Sequence, residues 1–197
     1  MKNFVVNKFG LVALTVLFLV IYGYFSVTDL VDKSAIPENQ ILTGDKIAIG
    51  SLGGFHFLED ITYSDELTHY RIALHTYLNR STTIDESIIV PYTKIQQIDA
   101  EEPIFIDGDL KSTTDLGIYR IQVLMSDTRT FDLSGEEVVE IFKGKQKMVI
   151  NRDPITEIHL VQPPDDSIVQ IIIGLNRKTK LYASSDNTGT IFIDILK

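Results

Sequence analysis

No charged residue occurs between Lys8 and Asp29, and 15 of the 20 residues from Phe9 to Thr28 are apolar. At about 1.5 Å of rise per residue, a helix of that length reaches roughly 30 Å, the thickness of a bilayer hydrocarbon core. Two other readings fit less well. A cleaved signal peptide carries a shorter apolar core, about 7 to 15 residues, and ends at a small-residue cleavage site, and no A-x-A pattern follows here. A core helix that is hydrophobic all round needs a larger protein to enclose it. The expectation is therefore an uncleaved transmembrane signal-anchor helix over 9–28. Lys2 and Lys8 precede it, whereas Asp29 and Asp32 follow with only Lys33 opposing them. The positive-inside bias then keeps residues 1–8 in the cytoplasm and places the rest outside, in a single-pass topology across the cytoplasmic membrane. Tyr22, Tyr24 and Phe25 fall where aromatic rings favour the outer headgroup region.

Residues 29–43 include Ser34, Pro37, Glu38, Asn39 and Gln40 without sustained periodicity, the pattern of a short polar tether. The remainder, 44–197, has the size of one domain. Everything beyond residue 8 is acidic: with Lys2 and Lys8 set aside, 16 basic residues face 27 acidic ones, a net charge of -11. That balance disfavours a general nucleic-acid binder, whose affinity comes largely from clustered Lys and Arg on phosphates. It also disfavours close approach to anionic lipid or teichoic-type polymers. The chain has no Cys, which excludes disulfides, thiolate zinc sites, iron-sulfur clusters and a catalytic thiol.

Beyond the tether, strand patterns dominate. Lys46–Gly50 alternates, Ile88–Ile98 and Pro103–Ile106 are rich in β-branched residues, and Gly117–Met125 sets Ile121 and Val123 on one face. Pro163, Pro164, Asp165 and Asp166 separate Ile155–Val161 from Ser167–Gly174 as a hairpin connection would. A second hairpin joins Lys180–Ala183 to Thr190–Ile195 through residues 185–189. Residues 67–78 show both periods; Thr68, Tyr70, Ile72, Thr76 and Tyr77 favour a strand, although the period alone leaves helix open. Ser134 and Glu137 form a capping-box pair, with Val138, Ile141 and Phe142 on one helical face and Gly144 beyond, so a short helix is predicted over 135–143. The predicted fold is mainly β, a single antiparallel β-sandwich-like domain with that one helix. Tyr70-Arg71-Ile72 recurs as Tyr119-Arg120-Ile121, with Arg80 and Arg129 ten residues after each Tyr. Such an echo is what half-buried strands produce by chance more readily than by duplication.

Catalytic signatures are sparse. His69 and His75 on one strand would lie about 20 Å apart, too far to share an ion. His56 and His159 have no ligand spacing. Asp107, Gly108, Asp109 and Asp115 open like a calcium loop, but Lys111 and Ser112 occupy the fifth and sixth positions where an oxygen ligand and Gly are required. A turn after Ile106 is the better reading. There is no G-x-S-x-G elbow and no Ser followed by Lys at the third position. The pairs Glu101-Glu102, Glu136-Glu137 and Asp165-Asp166 read as solvated surface. Two basic islands, Lys143/Lys145/Lys147 and Arg177/Lys178/Lys180, suit either local anion binding or protection of edge strands. No catalytic, metal or cofactor residues are predicted.

Tyr70-Arg71-Ile72-Ala73-Leu74, together with Asp186-Asn187-Thr188-Gly189 leading into Thr190-Ile191-Phe192-Ile193-Asp194-Ile195, resembles the AMIN and AMIN-like domains of bacterial envelope proteins. The resemblance covers residues 44–197; Arg71 and Asp194 match its Arg-led early strand and its closing strand ending in Asp. It implies a β-sandwich that binds peptidoglycan or docks onto an envelope complex, without the amidase or secretin domain attached in that family. The expected function is a non-enzymatic, membrane-anchored extracytoplasmic binding or scaffold domain. The alternative is an envelope hydrolase whose site gathers scattered carboxylates with His56 and His159, and a third reading is a structural subunit that assembles through its span.

Overall fold

The computed structural model describes residues 42–79, 89–106, 109–161 and 167–197. The expected span over 9–28, most of the tether, Arg80, the Asp107-Gly108 turn and the connection carrying Asp165 and Asp166 lie outside the described residues. The described ones all belong to one compact unit, Ala35–Lys197, and their regular structure is β throughout.

Two six-stranded sheets account for most of it. The first contains, in spatial order, β1 (Leu42–Thr43), β15 (Leu181–Ser185), β16 (Ile191–Leu196), β4 (His69–Leu78), β3 (His56–Asp65) and β9 (Thr128–Arg129). The second runs β12 (Lys147–Arg152), β13 (Ile155–Val161), β14 (Ile168–Leu175), β8 (Tyr119–Ser126), β5 (Thr93–Asp99) and β2 (Lys46–Ile49). Neighbours are antiparallel apart from the short β3–β9 pair. Two small hairpins complete the set: β6 (Ile104–Ile106) with β7 (Asp109–Lys111), and β10 (Phe131–Asp132) with β11 (Val139–Glu140). Residues 67–78 resolve as strand, and both predicted hairpins pair as expected, β13 with β14 and β15 with β16.

The two sheets share one hydrophobic core. Leu58, Ile72, Leu74 and Ile193 from the first meet Ile95, Val123, Ile171 and Ile173 from the second in a single buried cluster. Strand burial shows how each sheet faces water. β15 and β16 alternate buried and half-buried residues, the signature of one covered face. β14 is buried from Val169 through Leu175, so both its faces are covered. Its second face carries Ile172, which packs with Ile104 and Leu116 in a separate small cluster. The β6–β7 region and the 113–118 loop thus cap the second sheet's outer surface.

Arg120 belongs to that cap. It points from β8 toward the outer side, opposite Ile98 and Gly174 in register, and is 0% exposed. Nη1 donates to Ala100 O at 3.1 Å and Thr113 Oγ1 at 2.9 Å, and Nη2 donates to Glu102 O at 2.5 Å. Burial pulls its pKa down, against the pull of the Glu102 and Asp99 carboxylates.

The predicted helix over 135–143 does not form. Residues 131–140 make the β10–β11 hairpin instead, with Phe131 opposite Glu140 and Asp132 opposite Val139. Ser134, expected to cap a helix, donates its backbone N–H to Asp132 Oδ1 at 2.9 Å. Ile141 and Phe142 N–H both reach Thr130 O, and Lys143 N–H reaches Glu59 O. The apolar face that suggested a helix had no partner: Val138 and Val139 are exposed and only Phe142 joins the core. A helix this short is marginal without a buried face.

The β15–β16 turn follows its predicted chemistry. Asp186 Oδ1 accepts from Thr188 N at 2.9 Å, Thr188 Oγ1 at 2.7 Å and Thr190 N at 3.0 Å. Burial raises the Asp186 pKa, but these bonds and the nearby His75 outweigh it and hold the carboxyl below its ordinary value. A depressed folded value means that the turn's ionic stabilisation is complete above the unfolded pKa, about 3.9, and is lost as pH falls through the folded one. Asp186→Asn is expected to cost about 1 kcal/mol at neutral pH, as charge-assisted bonds become neutral ones. Urea midpoints at pH 6 and pH 3 check this: the gap between the two proteins should narrow in acid, and a constant gap contradicts the assignment.

Candidate functional site

The outer face of the first sheet is open along β4 and β16, where alternate residues are only half-buried. Its register fixes a grid of side chains. Leu196 stands between Lys180 and His69, with its N–H bonded to Lys180 O at 3.0 Å. In the next row Tyr182 pairs with Asp194, Asp194 with Arg71, and Arg71 with Ser64. The third row sets Ser184, Phe192, Ala73 and Thr62 side by side. These positions alternate with the buried Ile191, Ile193 and Ile195 along β16, so the period of 2 assigns Phe192 and Asp194 to the open face.

Arg71 and Asp194, 123 positions apart, meet here as a two-point ion pair: Nε donates to Oδ1 at 2.7 Å and Nη2 to Oδ2 at 2.8 Å. The guanidinium carbon also lies 5.0 Å from the centre of the Phe192 ring, within cation–π range. The bond to Asp194 raises the Arg71 pKa, against a smaller opposing effect of burial. Clamped and stacked in this way, Arg71 keeps a fixed plane. Its Nη1 has no protein partner among the described residues. His69 Nε2 stands 3.5 Å from Asp194 Oδ1 without a hydrogen bond. A fixed guanidinium stacked on the half-exposed Phe192 ring can accept a carboxylate or a hydroxyl-rich ligand without rearranging.

The other candidate residues disperse. His56 is fully buried in β3, with Nδ1 3.1 Å from Gly54 O and Nε2 3.2 Å from Ile89 O. His159 is on β13 of the other sheet, 3.1 Å from Glu157, which also holds Lys147 at 3.0 Å. The two histidines thus lie in different sheets. His69 and His75 share the open face of β4, and His75 Nε2 meets Thr62 Oγ1 at 3.0 Å. Glu101, Glu102, Glu136 and Glu137 are exposed, as is Asp109 in β7. Among the described residues no cluster of His and carboxylates is arranged to hold a metal ion. Lys143, Lys145 and Lys147 border a groove with β3, and Arg177, Lys178 and Lys180 line a cleft where β15 begins.

Sequence reasoning singled out Arg71 and Asp194 without assigning them a ligand, and it missed Tyr182 as their neighbour. The missed signal was Phe192 and Asp194 on the half-exposed positions of a strand whose other side is all isoleucine. No family model, no curated protein and no solved structure matches this chain.

Proposed function

We propose that the chain is a non-enzymatic, membrane-anchored extracytoplasmic binding domain, sandwich-like and AMIN-like, that engages peptidoglycan or an envelope protein complex through the open face of its first sheet. One observation carries this reading. The face presents a preorganised Arg71–Asp194 pair stacked on Phe192, with Tyr182 beside it. Peptidoglycan offers both chemistries such a face accepts, carboxylates for the guanidinium and saturated rings for the aromatics. In this reading the expected span over 9–28 holds the domain outside the cytoplasmic membrane, and the tether keeps it within reach of the wall.

Co-sedimentation of the full-length chain, in nonionic detergent, with purified sacculi across a salt series tests the proposal. Saturable retention that persists in high salt is the expected result. Arg71→Ala, which also frees Asp194, should lower retention about tenfold, in line with the loss of a charge-assisted contact. Absence of retention in every buffer would sink the peptidoglycan reading and leave a protein partner as the ligand.

A further inference from the structure

A second concave surface adjoins this face. A cleft of about 660 Å³ opens where β15 begins and β16 ends, lined by Arg177, Lys178, Lys180 and Lys197 with Asp45 as its one acidic wall residue. The domain is strongly acidic overall, so the convergence of four cations from two separate segments sets this cleft apart.

Three of these cations already have carboxylate partners. Lys178 holds Asp45 at 2.7 Å, Arg177 holds Asp153 at 3.1 Å and Lys197 holds Asp65 at 2.6 Å. The first two pairs are well exposed on both sides, and exposed pairs of this kind are worth only about 0.2 to 1 kcal/mol each. An incoming anion can take over those partners at little cost. Lys180 is exposed and has no partner among the described residues, which makes it the uncommitted charge of the cleft.

The backbone beneath these cations is fixed. Gln97, buried on β5, donates Nε2 to Thr179 O at 3.0 Å and accepts the Thr179 N–H at 3.0 Å. Thr179 Oγ1 donates to Leu196 O at 2.9 Å, and Thr43 Oγ1 to Leu181 O at 3.2 Å. The connection that crosses from the second sheet to the first is thereby held where it enters β15. A loop already ordered loses little further freedom on binding.

We infer that this cleft is a binding site for a ligand bearing closely spaced oxyanions, carboxylates or phosphates. Lys180 makes the first contact, and Lys178 and Arg177 exchange Asp45 and Asp153 for the ligand. This inference rests on the cations of the cleft rather than on the Arg71–Asp194 pair, and its probe lacks a sugar–peptide wall, so it does not depend on the peptidoglycan reading.

The test titrates the full-length chain in nonionic detergent with polygalacturonate in one arm and inorganic polyphosphate in the other, by calorimetry. Saturable binding in at least one arm is expected, weakening as salt rises from about 50 to about 300 mM because the cleft is exposed. The arm that binds identifies the oxyanion. Lys180→Glu should weaken binding at least about tenfold, and Lys178→Gln by about threefold, whereas Lys145→Glu in the other basic island should change it by less than about twofold. Unchanged thermal midpoints by circular dichroism are expected for all three, since each side chain is exposed. No binding in either arm at low salt, or equal losses for Lys180→Glu and Lys145→Glu, would overturn the site. Weakened polymer binding by Lys178→Gln with sacculus retention intact separates this cleft from the Arg71 face.

Discussion

Arg120→Met is expected to destabilise the domain by about 3 kcal/mol, and Arg120→Ala by about 4 kcal/mol, mostly through acceptors left without a donor. The side chain is wholly buried and supplies three hydrogen bonds to groups 7, 18 and 20 positions away in sequence. Two of the acceptors are main-chain carbonyls, Ala100 O and Glu102 O, which the cap of the second sheet needs for its own shape. A buried guanidinium without a direct carboxylate partner carries a desolvation cost, and the lowered Arg120 pKa has that cost as its first cause. Removing the charge recovers this cost, which is why the expected loss is not larger. Met keeps most of the volume, so its deficit isolates the hydrogen bonds, while Ala adds a cavity. Urea midpoints measure the difference, and hydrogen exchange should show residues 100–113 losing protection first. A Met variant as stable as the parent would mean that the bonds merely offset desolvation.

Alternating hydrophobicity made much of the fold legible. It marked β2 and β8, while turn signals, Pro163-Pro164-Asp165-Asp166 and Asp186–Gly189, delimited β13, β14, β15 and β16. β3 escaped because Glu59 and Asp60 interrupt its apolar run. The register shifts between Leu58 and Asp60, and such an irregularity breaks the period of 2 on which strand recognition depends. β12 escaped for a different reason: it is the edge strand of its sheet, largely exposed, and its lysine-bounded sequence reads as a surface charge run. The false helix at 135–143 has the opposite origin. A capping box and a periodic trio are local signals, and the cross-chain bonds from Thr130 and Glu59 that override them are not local.

The open face was half legible for the same reason. Arg71 and Asp194 each stood out within a strand, but only the β4–β16 register joins residues so far apart. Arg120 was noticed only as part of a repeated tripeptide. Alternation with Ile121 and Val123 assigns it to the outer face of β8, and its burial there follows from a cap supplied by the preceding chain, Ala100, Glu102, Thr113 and Leu116 among it. Arg71 and Arg120 thus share one local sequence and diverge by sheet: one lies on an open face beside a carboxylate, the other under a loop among carbonyls.

Gly174→Ala supplies the sharpest contrast between local propensity and packing. Within a strand, Ala is ordinarily better than Gly by about 0.5 to 1 kcal/mol. Gly174 lies in the interior of β14, opposite Arg120, so propensity alone forecasts stabilisation. The surroundings reverse the sign. A Cβ at Gly174 would collide with Leu116 O and Thr156 Oγ1, which are themselves hydrogen-bonded to each other, and it would stand 2.9 Å from Leu116 Cβ. The first obstacle is main chain and cannot rotate away. Accommodating the methyl group requires lifting the 113–118 loop, which withdraws Leu116 from Ile172 and Ile104 and pulls Thr113 away from Arg120. The expected loss is about 3 kcal/mol, the scale of overpacking combined with a broken buried hydrogen-bond network. Because Gly174 and Arg120 act on the same loop, their effects should not add: Gly174→Ala in an Arg120→Met background is expected to cost at least about 1 kcal/mol less than it does alone. Denaturation of the four proteins of that cycle decides the matter. A stabilising Gly174→Ala would show that the loop does not press on β14, and strict additivity would show that the glycine and the arginine do not hold a common cap.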